Sequence, residues 1–290
     1  MLYFLDRFAV EYEHLISSFK LIYLKYVQNR RNTYFLLTLF FFICSFLGKE
    51  QAVTLPVCLL LIDYFVGRDF HNRELWVEKI SFFSLSLLGG ILTILSQGSE
   101  GEELIYSLDY RILFACYTTF EYMVKSFLPV NLSYIYPFPV LPEESIPLRL
   151  WFYPIIVLTG SGMLFVYRKN KIVMFSILFL VLHVAVALHL ISISRFTIVA
   201  DRYLYLGCIG TSFLTVWIFF HFIQALSEKW KRLLISACFA LYLIYLGTYC
   251  FSYTKDWKDT DTLKSHVRKL IKNRENSSPL KKHGEPFNNN

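Results

Sequence analysis

Long apolar stretches separated by short charged segments dominate this chain from residue 33 to residue 253. Eight stretches can be distinguished: 33–47, 52–66, 80–97, 110–128, 148–167, 172–194, 203–225 and 233–253. A helix that crosses a bilayer needs roughly 20 mostly apolar residues, and most of the eight approach that length. The pattern predicts an all-α polytopic membrane protein with about seven or eight spanning helices. Residues 12–27 would supply a further, imperfect span.

Basic residues concentrate in alternate loops, which predicts the orientation of the chain. Four loops are rich in Lys and Arg: 28–32, 67–79, 168–171 and 227–232. The positive-inside rule assigns such loops to the cytoplasm. Residues 98–109 and 129–147 are acidic or neutral, and we expect them to be external. The net charge of +7 is thus explained by membrane orientation, and no nucleic-acid partner is expected.

The four basic loops can share one side only if one stretch between residues 79 and 168 does not cross the membrane. Residues 110–128 are the most polar candidate, because they contain Arg111, Glu121 and Lys125. We expect this segment to form one amphipathic helix that is interfacial or re-entrant. Residues 98–147 would then form a large external loop.

The strongest candidate for chemistry is the acid–base pair Asp201 and Arg202, which lies just outside a span beside Tyr203 and Tyr205. Acid and base at a helix mouth can hold a phosphate or orient a carboxylate. The same residues can equally be an interfacial anchor, because Tyr and Arg favour the headgroup region.

Two further polar segments are candidates. Lys49 and Glu50 lie between two short apolar stretches, where they can face a cavity or form a solvated turn. The proline-rich segment 125–139, with Asn131 and Tyr136, can clamp a lipid-linked or sugar ligand or be an ordered external loop. Asp63 is expected to be a boundary residue near Arg68.

The sequence gives little support for metal chemistry. The six cysteines all lie in apolar stretches without metal-ligand spacing, so we expect buried free thiols. His183 and His189 are separated by about 600° of helical rotation and should face different directions. A divalent metal or other cofactor is therefore not indicated.

Taken together, these segments resemble a known family. Residues 49–56 with 60–64, residues 125–139 and residues 200–206 are each similar to one of its sequence blocks. Trp257 with Leu263 is similar to its link to tetratricopeptide repeats. The family comprises multispanning membrane proteins with C-terminal tetratricopeptide repeats, bacterial relatives of the transmembrane O-mannosyltransferases that modify cadherins. These proteins are similar to the GT-C glycosyltransferases.

The resemblance implies a GT-C-like domain over residues 1–253 and an external polar tail over residues 254–290, the remnant of the linker to the repeats. It also implies a multi-pass protein of the bacterial inner membrane. Its partners would be the lipid bilayer, a sugar on a polyprenyl phosphate, and a protein or glycan acceptor on the external face. The family's first external loop, which carries the catalytic carboxylate, has no match here, and Gly207 and Cys208 replace its Pro-Ser. We therefore expect a chain truncated at both ends, or a decayed copy, whose catalytic residue is unknown.

A departing polyprenyl phosphate needs cations around it. We predict Arg202 as the main phosphate contact, with Lys49, Lys125 and Arg195 as weaker candidates. Asp201 would orient Arg202 rather than act as the base. Supporting roles are predicted for Tyr203, Tyr205, Asn131 and Tyr136.

Two other functions stay open. A noncatalytic membrane scaffold is compatible with the missing catalytic carboxylate. A transporter or flippase has less support, because the chain has neither repeated halves nor acidic residues in the middle of a span.

Overall fold

The computed structural model describes residues 17–48, 50–96, 106–130, 132–133, 136, 138–140, 146–188, 198–257, 265 and 268, and over this part the chain is all-α, as predicted. Residues 17–29 are helical and form α1. The helices that follow are α2 (Asn32–Gly48), α3 (Leu55–Val66), α4 (Arg73–Ser96), α5 (Leu108–Phe127), α6 (Phe152–Val166), α7 (Lys171–Val184), α8 (Gly207–Ala225) and α9 (Lys229–Thr254). Short 3₁₀ turns are Glu50–Thr54, Leu148–Trp151, Ala185–Leu188, Asp201–Tyr203 and Lys255–Trp257.

Five of the described helical segments are long and apolar enough to cross a membrane: Arg73–Leu92, Leu148–Val166, Lys171–Leu188, Gly207–Ala225 and Lys229–Thr254. Two shorter apolar helices, Asn32–Gly48 and Ala52–Val66, accompany them. None of the described residues of α6 and α9 is buried, and Leu158, Val166, Leu233 and Phe251 are each more than 70% exposed. Apolar surfaces of this extent are consistent with an integral membrane protein whose helices face lipid.

Three of the four basic loops lie at one end of the bundle. Arg30 pairs with Glu78 of α4 at 2.9 Å. The hydroxyl of Tyr64, at the end of α3, donates to the carbonyl of Arg168 at 3.4 Å. The loops 28–32, 67–79 and 168–171 are thereby brought together, and we call this the basic-loop end.

A buried ion cluster joins α1, α3 and α4 at the basic-loop end. Asp63 and Lys79 are 0% and 1% exposed and pair at 2.8 Å, while Arg68 lies 3.2 Å from Asp63 and 2.9 Å from Glu78. The hydroxyl of Tyr23 donates to Asp63 at 2.6 Å. Because the two acids and two bases compensate one another, removing one member would leave a buried charge unpaired. Asp63 does lie beside Arg68, as expected, but inside the protein.

The expectation that every cysteine is a buried free thiol is only partly correct. All six are free, and Cys58 is buried. Cys238 and Cys250 are exposed, because α9 presents most of its apolar surface outward. Cys44, Cys116 and Cys208 are only half-buried. The expectation is thus correct for Cys58 and wrong for Cys238 and Cys250, since apolar residues face outward where lipid is the solvent.

Glycine allows α7 and α8 to approach closely. Gly207 and Gly210 of α8 pack against Leu180 and Ser176 of α7. A Cβ atom at Gly210 would lie 2.5 Å from the backbone oxygen of Ser176, which is far inside van der Waals contact. The sequence Gly207–Gly210 thus acts as a small-residue contact of the kind that lets membrane helices pack backbone to backbone.

We predict that Gly210→Ala separates α7 from α8 and lowers the free energy of unfolding by about 1–3 kcal/mol. The measurement is the unfolding midpoint of the purified protein in lipid nanodiscs. Gly247→Ala in α9 is the matched control, because a Cβ atom there has no neighbour within 4 Å among the described residues. Equal stability of the two variants would contradict the close packing of α7 on α8.

Candidate functional site

Two of the three candidate segments meet at the end of the bundle opposite to the basic loops. Helix α8 begins beside Leu180, near the end of α7, whose first residue Lys171 is at the basic-loop end. Val199, which lies shortly before α8, forms an antiparallel bridge with Tyr136, which lies after α5. The amide of Tyr136 donates to the carbonyl of Val199 at 3.0 Å. The bridge holds the segment that follows α5 against the segment that contains Asp201.

Tyr122 of α5 reinforces this junction. Its side chain is fully buried, and its hydroxyl both donates to the carbonyl of Ala200 at 3.3 Å and accepts from the amide of Ala200 at 3.1 Å. The backbone immediately before Asp201 is thus fixed from two sides.

The Asp201 carboxylate is the centre of the site. Its Oδ2 atom accepts hydrogen bonds from the Ser133 amide at 2.6 Å, the Tyr136 hydroxyl at 3.2 Å and the Tyr253 hydroxyl at 3.4 Å. Its Oδ1 atom is buried and has no hydrogen-bond partner among the described residues. Asp201 therefore joins three separate parts of the chain through one of its two carboxylate oxygens.

Burial raises the pKa of Asp201 from 3.8 to about 6, although the Ser133 amide, the Lys125 ammonium and the tyrosine hydroxyls act in the opposite direction. Burial and the nearby Asp201 charge raise the pKa of Tyr136 above its ordinary value. The tyrosine hydroxyl thus stays protonated and able to donate, while the carboxyl titrates slightly below neutral pH.

Lys125 is part of the same site. Its ammonium lies 4.2 Å from the centre of the Tyr136 ring and pairs with Glu121 at 2.8 Å. The side chain of Lys125 is only 9% exposed. The predicted cation near the proline-rich segment is therefore present, held by an aromatic face and an acid one helical turn away.

Arg202 faces outward beside Asp201. It is exposed, and its guanidinium lies 5.1 Å from the centre of the Tyr203 ring and 3.4 Å from the Tyr203 hydroxyl. The described hydrogen bonds of Asp201 go to Ser133, Tyr136 and Tyr253, so an orienting effect of Asp201 on Arg202 stays a prediction. Tyr205 is 66% exposed.

The other predicted site residues, Lys49, Asn131 and Arg195, lie outside the described residues, as does His189. His183 is described. Its Nε2 atom lies 2.7 Å from the Lys20 ammonium, and its Nδ1 atom lies 2.7 Å from the carbonyl of Phe179. Within the described ranges, no group of three or more His, Cys, Asp or Glu side chains could hold a metal ion.

Sequence reasoning missed the contribution of α9. Tyr253 reaches Asp201, although it was expected only to end the last span. A signal for it is present in the spacing of the four α9 tyrosines, Tyr242, Tyr245, Tyr249 and Tyr253. Intervals of three and four residues place all four on one face of a helix.

We predict that Asp201 makes the stability of the protein depend on pH between 3.8 and about 6. The folded-state pKa is above the unfolded value, so the contribution of the protonated carboxyl is fully present below pH 3.8 and lost as pH rises through about 6. Asp201→Asn should remove this slope, with a difference on the order of 1–3 kcal/mol across the window.

The measurement is the unfolding midpoint of parent and variant over that range of pH. Asp69→Asn is the control, since Asp69 is an exposed carboxylate and should leave the slope nearly as it is. A variant Asp201→Asn that retained the parent slope would show that Asp201 is not the titrating group.

The chain has no match among known proteins from which a function could be transferred. Comparisons with protein-family models, with curated proteins and with solved structures find none. The function has to be argued from the geometry at Asp201 and from the two sequence segments that meet there.

Proposed function

We propose that this chain is a partial GT-C-like glycosyltransferase membrane domain. It would transfer a sugar from a polyprenyl-phosphate donor to a protein or glycan acceptor on the external face. The observation that carries the proposal is the Asp201 carboxylate, which binds Ser133 and Tyr136. Two separate sequence blocks of the resemblance thus converge on one polar site beside the apolar bundle.

The cations of this site suit a phosphate ligand. The Arg202 guanidinium is exposed and presents several N–H donors in one plane, a geometry that matches phosphate oxygens. The Tyr203 ring beside it limits the conformations of the arginine before a ligand arrives. Lys125 adds positive charge next to Tyr136, and Lys49 and Arg195 are further candidates.

Asp201 is a positioning residue in this proposal. Its Oδ2 atom is used by three donors, so its role is to hold the Ser133–Tyr136 segment and the end of α9 around the ligand. The residue that removes the proton of the acceptor hydroxyl remains unknown. Metal ions have no assigned role.

The proposed topology has about seven or eight spans, formed by α1 to α4 and α6 to α9, with α5 interfacial or re-entrant and not crossing the membrane. Two contacts support the placement of α5. The Tyr106 ring, just before α5, lies 5.1 Å from the Phe138 ring, and Lys125 near its end lies 4.2 Å from the Tyr136 ring. Tyr106 and the last turn of α5 thus contact Phe138 and Tyr136, which lie close together in sequence. This proximity favours an α5 that does not cross the membrane.

Thiol labelling tests this topology. In a cysteine-free background, we expect Asp109→Cys and Arg202→Cys to react with an impermeant maleimide added from the external side. Arg73→Cys, at the basic-loop end, should react only after permeabilisation. If α5 crossed the membrane, positions 109 and 202 would be labelled from opposite sides, and the proposed external site would be wrong.

We predict that Arg202→Ala weakens binding of polyprenyl monophosphate by about tenfold or more, because a charge-assisted contact to the phosphate is lost. Native mass spectrometry of the protein in nanodiscs measures the bound fraction. Arg73→Ala removes an exposed arginine at the basic-loop end and should bind like the parent. Absence of saturable binding to the parent chain would contradict the transferase proposal.

A noncatalytic membrane scaffold is the second candidate, and one observation favours it. Lys125 already pairs with Glu121, and the Oδ2 atom of Asp201 already has three donors, so these groups have protein partners without a ligand. If the protein folds normally and binds no polyprenyl phosphate, the network is best explained as a structural contact that joins the segment after α5 to α8 and α9.

A further inference from the structure

The chain leaves the helical conformation after Phe127, and residues 128–130, 132 and 133 run beside α9. The Tyr242 hydroxyl donates to the carbonyl of Phe127 at 2.6 Å. The Tyr245 hydroxyl donates to the carbonyl of Pro129 at 3.1 Å. The Leu132 amide donates to the Tyr249 hydroxyl at 3.0 Å.

The contacts advance in register along both partners. As the segment proceeds from residue 127 to residue 132, its partners move from residue 242 to residue 249 of α9. Tyr253 then reaches the Asp201 carboxylate, which also accepts from the Ser133 amide. We call Tyr242, Tyr245, Tyr249 and Tyr253 the tyrosine row. At 100° per residue, its members lie within an arc of about 80° on one face of α9.

The position of the tyrosine row along α9 indicates how deep its backbone partners lie. Tyr242 lies near the midpoint of α9 and about 16 Å along the helix axis from Tyr253. Side chains on a helix tilt toward its N-terminus, and therefore toward the basic-loop end. Tyr242 therefore contacts the carbonyl of Phe127 at the level of the middle of α9. When α9 spans the membrane, this level lies well inside the apolar layer.

Backbone groups at that depth need protein partners, because hydrocarbon provides no hydrogen bonds. The amide of Leu128 bonds within the last turn of α5 to the carbonyl of Val124, and Pro129 has no amide hydrogen. The tyrosine row accounts for the carbonyls of Phe127 and Pro129 and for the amide of Leu132.

We propose that residues 127–130, 132 and 133 belong to a re-entrant segment held at membrane depth by the tyrosine row, which replaces water as the hydrogen-bonding partner of the Phe127 and Pro129 carbonyls and of the Leu132 amide. The tyrosines are positioning residues. They fix the height of Lys125 and Ser133 relative to Asp201 and fasten α9 to the bundle. This inference does not depend on the transferase proposal.

Depth-dependent quenching tests the segment directly. Val130 is 50% exposed, so Val130→Cys in a cysteine-free background can carry an environment-sensitive NBD label. We expect lipids that carry a nitroxide group near the end of the acyl chain to quench this label as strongly as a label at Leu243→Cys in α9. A label at Arg202→Cys should be quenched weakly. Equal, weak quenching at positions 130 and 202 would place the segment outside the membrane and overturn the proposal.

Removal of the hydroxyls tests the tyrosine row. We expect the double substitution Tyr242→Phe and Tyr249→Phe to move the NBD label at position 130 toward water. In protein that carries no label, it should raise the reaction rate of the free Val130→Cys thiol with an impermeant maleimide by about tenfold. Tyr205→Phe is the matched control, because it removes an exposed tyrosine hydroxyl outside the row.

The depth measured on the intact row decides the proposal even if the double variant does not fold. A different result is a folded double variant in which the label at position 130 keeps its depth and the free thiol there keeps its reaction rate. That result would show that the tyrosine hydroxyls do not hold the segment.

Discussion

Polar groups that are buried among apolar helices must find their partners within the protein, and this constraint accounts for the three polar regions of the structure. The ion cluster around Asp63 and Lys79 is neutral as a set. The tyrosine row pairs with the backbone after α5. The Asp201 carboxylate collects donors from three segments. Each region joins segments that are distant in sequence. A buried polar group must bond to a partner on another segment, and this requirement helps to determine which helices pack together.

The helices could be predicted from the sequence because a bilayer imposes a simple rule on composition and length. The apolar stretches 148–167 and 203–225 correspond closely to α6 and α8. The polar character of residues 110–128 singled out α5. Tyr106, just before this helix, contacts Phe138, and Lys125 near its end contacts Tyr136. The α9 helix begins before its apolar stretch, since Lys229 and Lys231 continue the helix at its basic end.

The partners of the site residues could not be predicted in the same way. The residues next to Asp201 in sequence do not indicate that its carboxylate binds the Ser133 amide. That contact depends on how the segment after α5 runs toward the start of α8. The contact of Tyr253 with Asp201 could not be predicted for the same reason. The spacing of the α9 tyrosines does predict a shared face, but not what that face contacts. Asp63 shows the converse: its neighbour Arg68 was evident from the sequence, whereas its burial follows from α1 and α4 closing over it.

The site combines side chains that are held in internal contacts with Arg202, which is exposed. Asp201, Tyr136 and Lys125 are bound to one another or to Glu121, so using them to bind a substrate would first require breaking internal contacts. Arg202 is exposed and rests on the aromatic side chain of Tyr203, so a phosphate could reach it without disturbing Asp201. The transferase and scaffold hypotheses therefore agree on the structural role of Asp201 and differ in what they assign to Arg202. The buried charges at the basic-loop end add no support for a transporter, because Asp63 and Glu78 are compensated by Lys79 and Arg68. A transport site would need a charge that a cargo ion could neutralise, and a neutral, fully engaged cluster provides none.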